Sequence, residues 1–366
     1  MKIISFGVLS ICLLVLGACA SRPELRYSSR EMDHTPSNPS IDFHGPFSNE
    51  TLTVECRNLG SHDFLDISFD LLILRSWDGS ADVEFGGQLL PRIGPDYFRL
   101  GVAGGPTLLY TTFSNVPYGG FKEESKFQNY PSPVPGARLS PFSGSAAHNT
   151  LGYNYSETDA PDLFPMDATY KIHFIVPHSA CTAMLQLQAI NLQNITDENW
   201  GVRNLRVKAF HPTAAQPTTQ PADTATAFAK ALDINGDDPV AAFQSLILGM
   251  DDTVSWIEKN VKAKPIDVGE ARKRIARLHA DDVFRKEREE AGTALFKMGP
   301  EVEPYLRDDR RTAAAEQRLR IDWILAALGV KPIGDEEVRR VMLATRVLEI
   351  IDTPRALKAR AMLTGG

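Results

Sequence analysis

Ile67-Ser68-Phe69-Asp70-Leu71-Leu72-Ile73 carries apolar side chains at 67, 69, 71 and 73. Those four positions share one face of an extended chain, because successive side chains of a strand point to opposite faces. The same period of two recurs on both sides of this stretch. Leu52, Val54 and Cys56 alternate with Thr51, Thr53 and Glu55, and Phe98, Leu100 and Val102 repeat the pattern. Tyr170, Ile172, Phe174 and Val176 do so again, then Ala183, Leu185, Leu187 and Ala189, then Leu205, Val207 and Ala209. Many short alternating segments separated by Gly and Pro, with no helices between them, predict an antiparallel β-sandwich of jelly-roll type over 42–210.

After residue 210 the period changes. Pro212-Thr213-Ala214-Ala215-Gln216-Pro217-Thr218-Thr219-Gln220-Pro221 has the composition of an extended linker, placed at 211–226. Beyond it, Phe284, Ala291, Leu295 and Met298 form one helical stripe and Leu319, Trp323, Ala326 and Ala327 another. Val338, Val341, Met342, Thr345 and Leu348 form a third. Asp281-Asp282 and Asp335 stand where N-caps belong, and Gly299-Pro300 and Gly329 where helices should stop. Residues 227–364 are therefore expected to be an all-α domain.

The N-terminus reads as an export signal. Lys2 precedes an apolar run from Ile3 to Leu16 that is too short to cross a bilayer as a stable helix. Leu16-Gly17-Ala18-Cys19 resembles the lipobox of bacterial lipoproteins. That resemblance implies a signal peptide at 1–18, removed after the Cys19 thiol accepts diacylglyceryl, and a membrane anchor of several acyl chains (palmitate among them). Ala20 rather than Asp follows the cysteine, which points to the outer membrane. Polar, Pro-containing residues 19–41 are expected to be a disordered tether. With Cys12 and Cys19 accounted for, only Cys56 and Cys181 remain. In an oxidising compartment they can pair as a disulfide closing a long loop, or stay as buried thiols.

The chain has 366 residues, 43% of them apolar, and a net charge of −7. Two ordinary domains fit that length, and the charge excludes a general nucleic-acid binder, which needs a basic field.

Phe69-Asp70-Leu71-Leu72-Ile73-Leu74-Arg75-Ser76-Trp77-Asp78-Gly79, Pro95-Asp96-Tyr97-Phe98, Thr111-Thr112-Phe113-Ser114-Asn115 and Asp197-Glu198-Asn199-Trp200-Gly201-Val202-Arg203-Asn204-Leu205 are similar to segments of bacterial surface jelly-roll domains of lectin or MAM type. Ile275-Ala276-Arg277-Leu278, Asp281-Asp282-Val283-Phe284, Gly299–Leu306 and Val347–Ala356 resemble the HEAT-type repeats of exported bacterial proteins, which implies a scaffold without catalytic chemistry. Asp78, Asp197, Glu198 and Asn204 are oxygen ligands beside the Trp landmarks, a set suited to a Ca²⁺ ion at the loop ends. Arg203 stands where the pattern often has an acidic residue.

The Pro-, Gly- and Ser-rich stretch 116–167 holds Tyr118, Tyr130, Tyr153 and Tyr155, whose rings could stack on a sugar or peptide or pack back on the sandwich. Asp233–Asp238 begins like an EF-hand loop but has Asp238 at the sixth position and Gln244 at the twelfth, so a turn with Asp238 capping the next helix is expected instead. The glycosylation sequons at Asn49, Asn154 and Asn194 are expected to be silent in a bacterium. No Gly-x-Ser-x-Gly, His-Glu-x-x-His or P-loop is present.

The expectation is a non-catalytic, lipid-anchored envelope protein. Its sandwich would bind a carbohydrate or an envelope protein, and its helices would serve as a scaffold. A structural assembly role and a polysaccharide-active enzyme are the alternatives. Replacing Cys19 with Ser is expected to move the protein from the membrane to the soluble fraction; retention at the membrane on fractionation would refute the anchor.

Overall fold

The computed structural model describes residues 23–29, 32–80, 84–85, 88–89, 95–116, 127–134, 136–155, 165–212, 223–233, 236, 238–262, 267–278, 285–330 and 336–364. Cys19 with the signal segment, most of the Pro/Thr stretch, Tyr118, Phe284 and the acids Asp281, Asp282 and Asp335 lie outside the described residues.

The strands are β1 Glu24–Tyr27, β2 Met32–Thr35, β3 Asn38–Phe47, β4 Thr51–Arg57, β5 Phe64–Arg75, β6 Glu84–Phe85, β7 Gln88–Leu89, β8 Tyr97–Val102, β9 Thr107–Thr112, β10 Ala147–His148, β11 Asp167–Pro177, β12 Ala183–Ile190 and β13 Glu198–Phe210. One antiparallel sheet runs β1-β4-β12-β8-β9 and the other β10-β11-β5-β13-β3-β2, with β6 and β7 a separate hairpin. The eight main strands, β3, β4, β5, β8, β9, β11, β12 and β13, can be numbered one to eight in chain order. The sheets then read 1-8-3-6 and 2-7-4-5, the jelly-roll order.

β5 is the hub of its sheet. β11 pairs with it along one edge and β13 along the other. Its alternation sends Ile67, Phe69, Leu71 and Ile73 into one cluster with Leu52, Val54, Phe98, Leu100, Leu185 and Leu187 of the facing sheet. Each such side chain contributes about 1.5–3 kcal/mol on full burial. β13 shifts register between Arg203 and Arg206, and Asn204 adopts φ 56°. This bulge restores the phase, so that Val202 and Leu205, three residues apart, are both buried. Gly201 is required beneath Phe43: a Cβ there would lie 2.2 Å from the Phe43 ring.

The expected tether is corrected by the structure. β1 pairs with β4, and β2 with β3, so most of residues 24–41 belong to the sheets. β1 and β2 are short edge strands, of which β1 packs Leu25 and Tyr27 against the core, and strands this short show little apolar periodicity.

The helices are α1 Thr224–Leu232, α2 Pro239–Leu248, α3 Met250–Asn260, α4 Val268–Arg277, α5 Arg285–Met298, α6 Glu303–Thr312, α7 Ala315–Val330, α8 Glu336–Ile351 and α9 Pro354–Leu363. Asp223, Asp238, Asp267 and Thr353 cap N-termini through their side chains. Gly299, at φ 97°, follows the last residue of α5. Gly329 does not end a helix, because α7 continues to Val330.

The helices pack on the sandwich. The apolar cluster of the sandwich continues into Phe228 of α1, Phe243 and Leu246 of α2, Ile257 of α3, and Val347 and Leu348 of α8. Gln244 donates to the His173 carbonyl of β11, and Arg346 Nη1 donates to the Pro133 carbonyl at 2.8 Å. Phe243 and Val240 border a void of about 20 Å³ with Leu108, Tyr130 and Ile172. Replacing Phe243 with Ala is expected to cost about 3–5 kcal/mol, read from urea unfolding followed by circular dichroism. A loss below about 1 kcal/mol, the scale of a surface substitution, would show that the helices do not depend on this contact.

Candidate functional site

The site grows from the alternation of β8. Phe98 and Leu100 enter the sandwich core, so Tyr97 and Arg99 project from the outer face. In register, Arg99 lies opposite Tyr110 of β9, and Tyr97 opposite Ile190 of β12. Tyr97 and Tyr110 stack, with ring centroids 4.6 Å apart, and with Ile190 they join the apolar cluster of α4 to α7. Two outward-facing tyrosines thereby dock the helices on this half of the sheet.

Charged groups arrive with those helices. Tyr110 Oη donates to the Asp322 carbonyl at 3.1 Å, and the Arg307 guanidinium lies 5.4 Å from the Tyr110 ring centre. Arg307 pairs with Glu303 one turn earlier at 2.7 Å, and both side chains are buried. Arg310 forks onto Asp322 at 2.5 and 2.9 Å. Arg311 reaches Glu349 of α8 at 3.4 Å, and Arg318 Nε donates to the Ala313 carbonyl at 2.8 Å.

Between sheet and helices is a cleft of about 190 Å³. Arg99, Val102, Gly104, Gly105, Thr107 and Gln186 form its sheet wall. Arg307, Arg310, Arg311, Arg318, Glu349 and Asp352 form its helical wall. The half of the sheet left open beside it carries Thr51 and Thr53 opposite Gln188 and Gln186, a polar strip leading to Arg99.

Five guanidiniums and two carboxylates line this space. Burial, followed by the neighbouring Arg310, pushes the Arg99 guanidinium down to about 10. Its Nε is buried with no hydrogen-bond partner among the described residues. Burial alone would raise the Glu349 carboxyl, but Arg307, Arg360, Arg311 and Arg346 hold it below the usual carboxylate range. The cleft thus combines ion-paired arginines with two, the half-buried Arg99 and the exposed Arg318, that have no carboxylate partner among the described residues.

The residues singled out from sequence lie elsewhere. Asp197 accepts from Ser76 Oγ at 2.6 Å. Glu198 is buried and accepts from the Gln193 amide at 2.6 Å. Asp78 gives its N–H to the Asp96 carboxylate, and Asn204 donates to Asp70 at 2.8 Å. Asn204 lies six residues along β13 from Glu198, about 20 Å at strand rise. The expected Ca²⁺ ligands are therefore not brought together. Among the described residues, no group of three or more His, Cys, Asp or Glu could hold a metal ion.

Tyr130 and Tyr153 are each 7% exposed. Tyr130 packs on Phe113 and Tyr170, and Tyr153 lies under Arg75. Both rings pack back on the sandwich, and Tyr155 is only half-buried. Tyr153 is held there by its loop, in which the N–H groups of Thr150, Leu151, Gly152 and Tyr153 all donate to Asp167.

What the sequence reading missed is the arginine set. The run Arg307-Asp308-Asp309-Arg310-Arg311 in an acidic chain was the available signal, while the outward position of Arg99 was implicit in the phase of β8. No family model, no curated protein and no solved structure matches the chain.

Of the two alternatives for the remaining cysteines, the structure shows no disulfide. Cys56 and Cys181 are both free: Cys56 faces the sandwich core opposite Ala183, and Cys181 is exposed before β12. Burial, followed by Glu55, pushes the Cys56 thiol up to about 12, so it stays protonated and unreactive. A thiol reagent is expected to label Cys181 quickly in the native protein and Cys56 only after denaturation. Mass spectrometry checks this, and a non-reduced peptide joining the two would overturn it.

Proposed function

We propose that this chain is a non-catalytic binding protein of the bacterial cell envelope, held by lipid on Cys19 at the outer membrane. In this reading the jelly roll offers one wall of the ligand site and the helices the other. The supporting observation is the cleft itself, open, polar and shared between the two halves. At about 190 Å³ it is smaller than the ~300–1,000 Å³ of pockets for drug-sized ligands. It therefore suits one terminal unit of a larger ligand.

Carbohydrate is the ligand class that fits best. Gln186, Gln188, Thr51 and Thr53 supply amide and hydroxyl groups that can both donate and accept, which is what vicinal sugar hydroxyls require. The likeness of the Trp77 and Trp200 segments to lectin- or MAM-type sandwiches supports the same assignment. The likeness of the helices to HEAT-type scaffolds supports a supporting role for them. Glycoside cleavage needs a carboxylic acid with a raised pKa. Glu349, in the cleft, is held low instead, which favours binding over hydrolysis.

A glycan array probed with the full chain in a non-ionic detergent is expected to give hits. Replacing Gln186 with Ala should weaken them about five- to tenfold, the worth of one or two hydrogen bonds. Absence of binding to any glycan would sink the carbohydrate assignment.

A further inference from the structure

We propose that the cleft selects an acidic sugar, with Arg99 and Arg318 holding the carboxylate of a uronic acid-type residue. This rests on the reading of the cleft as the ligand site and adds the charge of the ligand.

The argument is one of compensation. Arg307 and Arg310 already have carboxylate partners in Glu303 and Asp322, and Arg311 shares Glu349. Arg99 and Arg318 line the same space from opposite walls, and among the described residues neither makes an ion pair. Arg318 is exposed on its wall and spends its Nε on a main-chain carbonyl, whereas the Nε of Arg99 is buried and unused among the described residues, so the cost of an unpaired buried group falls on Arg99. A buried donor without a partner is costly, and a buried cation more so. A guanidinium is also the side chain that grips a planar carboxylate through two parallel N–H bonds.

The remaining groups define the anion further. Glu349 and Asp352 stand in the same wall, so a phosphate dianion would meet more repulsion than a single carboxylate would. Gln186 beside Arg99 offers an amide to a ring hydroxyl, which a simple inorganic anion cannot use. One charged group on one polar ring matches both walls.

The test is isothermal titration calorimetry of the full chain in non-ionic detergent with glucuronate, glucose and inorganic phosphate. Glucuronate is expected to bind, more weakly at high salt, with glucose and phosphate at least about tenfold weaker. Arg99→Gln and Arg318→Gln should each weaken glucuronate about tenfold or more, as expected for a lost hydrogen bond to a charged group. Without ligand, Arg99→Gln is expected to keep or raise the melting temperature, because it removes a desolvated cation. If Arg99 were merely structural, the same change would lower the melting temperature and leave the titration untouched.

The proposal is overturned if glucuronate does not bind, if it binds undiminished to the double variant, or if phosphate binds in its place. Should glucose or another neutral sugar bind instead and be weakened by Gln186→Ala, the charge assignment fails while the cleft remains the ligand site. Failure of every sugar removes both.

Discussion

The stacking of Tyr97 on Tyr110 outside the sandwich is the contact on which the docking of α4 to α7, and with it the cleft, depends. A jelly roll needs only its inner faces to be apolar, and the outer face of a strand is ordinarily left to water. Here two rings at the β8–β9 edge face outwards and must be covered. The helices cover them, and burial raises both phenols well above their ordinary range. Because strand side chains alternate, covering residues 97 and 110 also encloses Arg99. The cleft is thus a consequence of where the helices dock, and neither half of the chain contains it alone.

The fold was legible wherever one face of an element is buried and the other wet. β5, β11 and β12 show that alternation plainly, and the change of period after residue 210 marks the helical part. β1 to β3 were not legible. β1 and β2 are only four residues long, and β3 is exposed or half-buried up to Asp42 before Phe43, Gly45 and Phe47 alternate inward, so main-chain pairing does much of the holding and little apolar pattern is left to read. The acids beside the Trp landmarks could be read as metal ligands because sequence shows their chemistry but not their direction. In the structure Asp197 and Glu198 are spent on the turn that Ser76 and Gln193 hold in place. The tyrosines were misleading for a related reason. A loop poor in apolar runs can still bury rings when a single carboxylate, Asp167, gathers its amides.

The cleft was illegible for a stronger reason. Tyr110 and Asp322 are 212 positions apart, and so is the wall that each represents. Local periodicity can place Arg99 on the outside of a sheet and Arg307 on a helix, but only docking sets one beside the other.

That docking brings cations together at an energetic cost. Arg99 and Arg346 are both pushed down to about 10, by burial first and then by neighbouring arginines. Glu303, Asp322 and Glu349 offset much of this, and they hold Arg307 and Arg310 above the usual range despite burial. Apolar side chains of similar volume would stabilise such an interface at least as well as ion pairs do. Fold stability alone therefore does not call for Arg307 to be buried and Arg99 and Arg310 half-buried beside an open cleft, and their placement is in keeping with the proposed ligand site. One geometry thus does both: tyrosines fasten the helices to the sheet, and the same docking sets Arg99 of the sheet against the guanidiniums of α6 and α7 around the cleft.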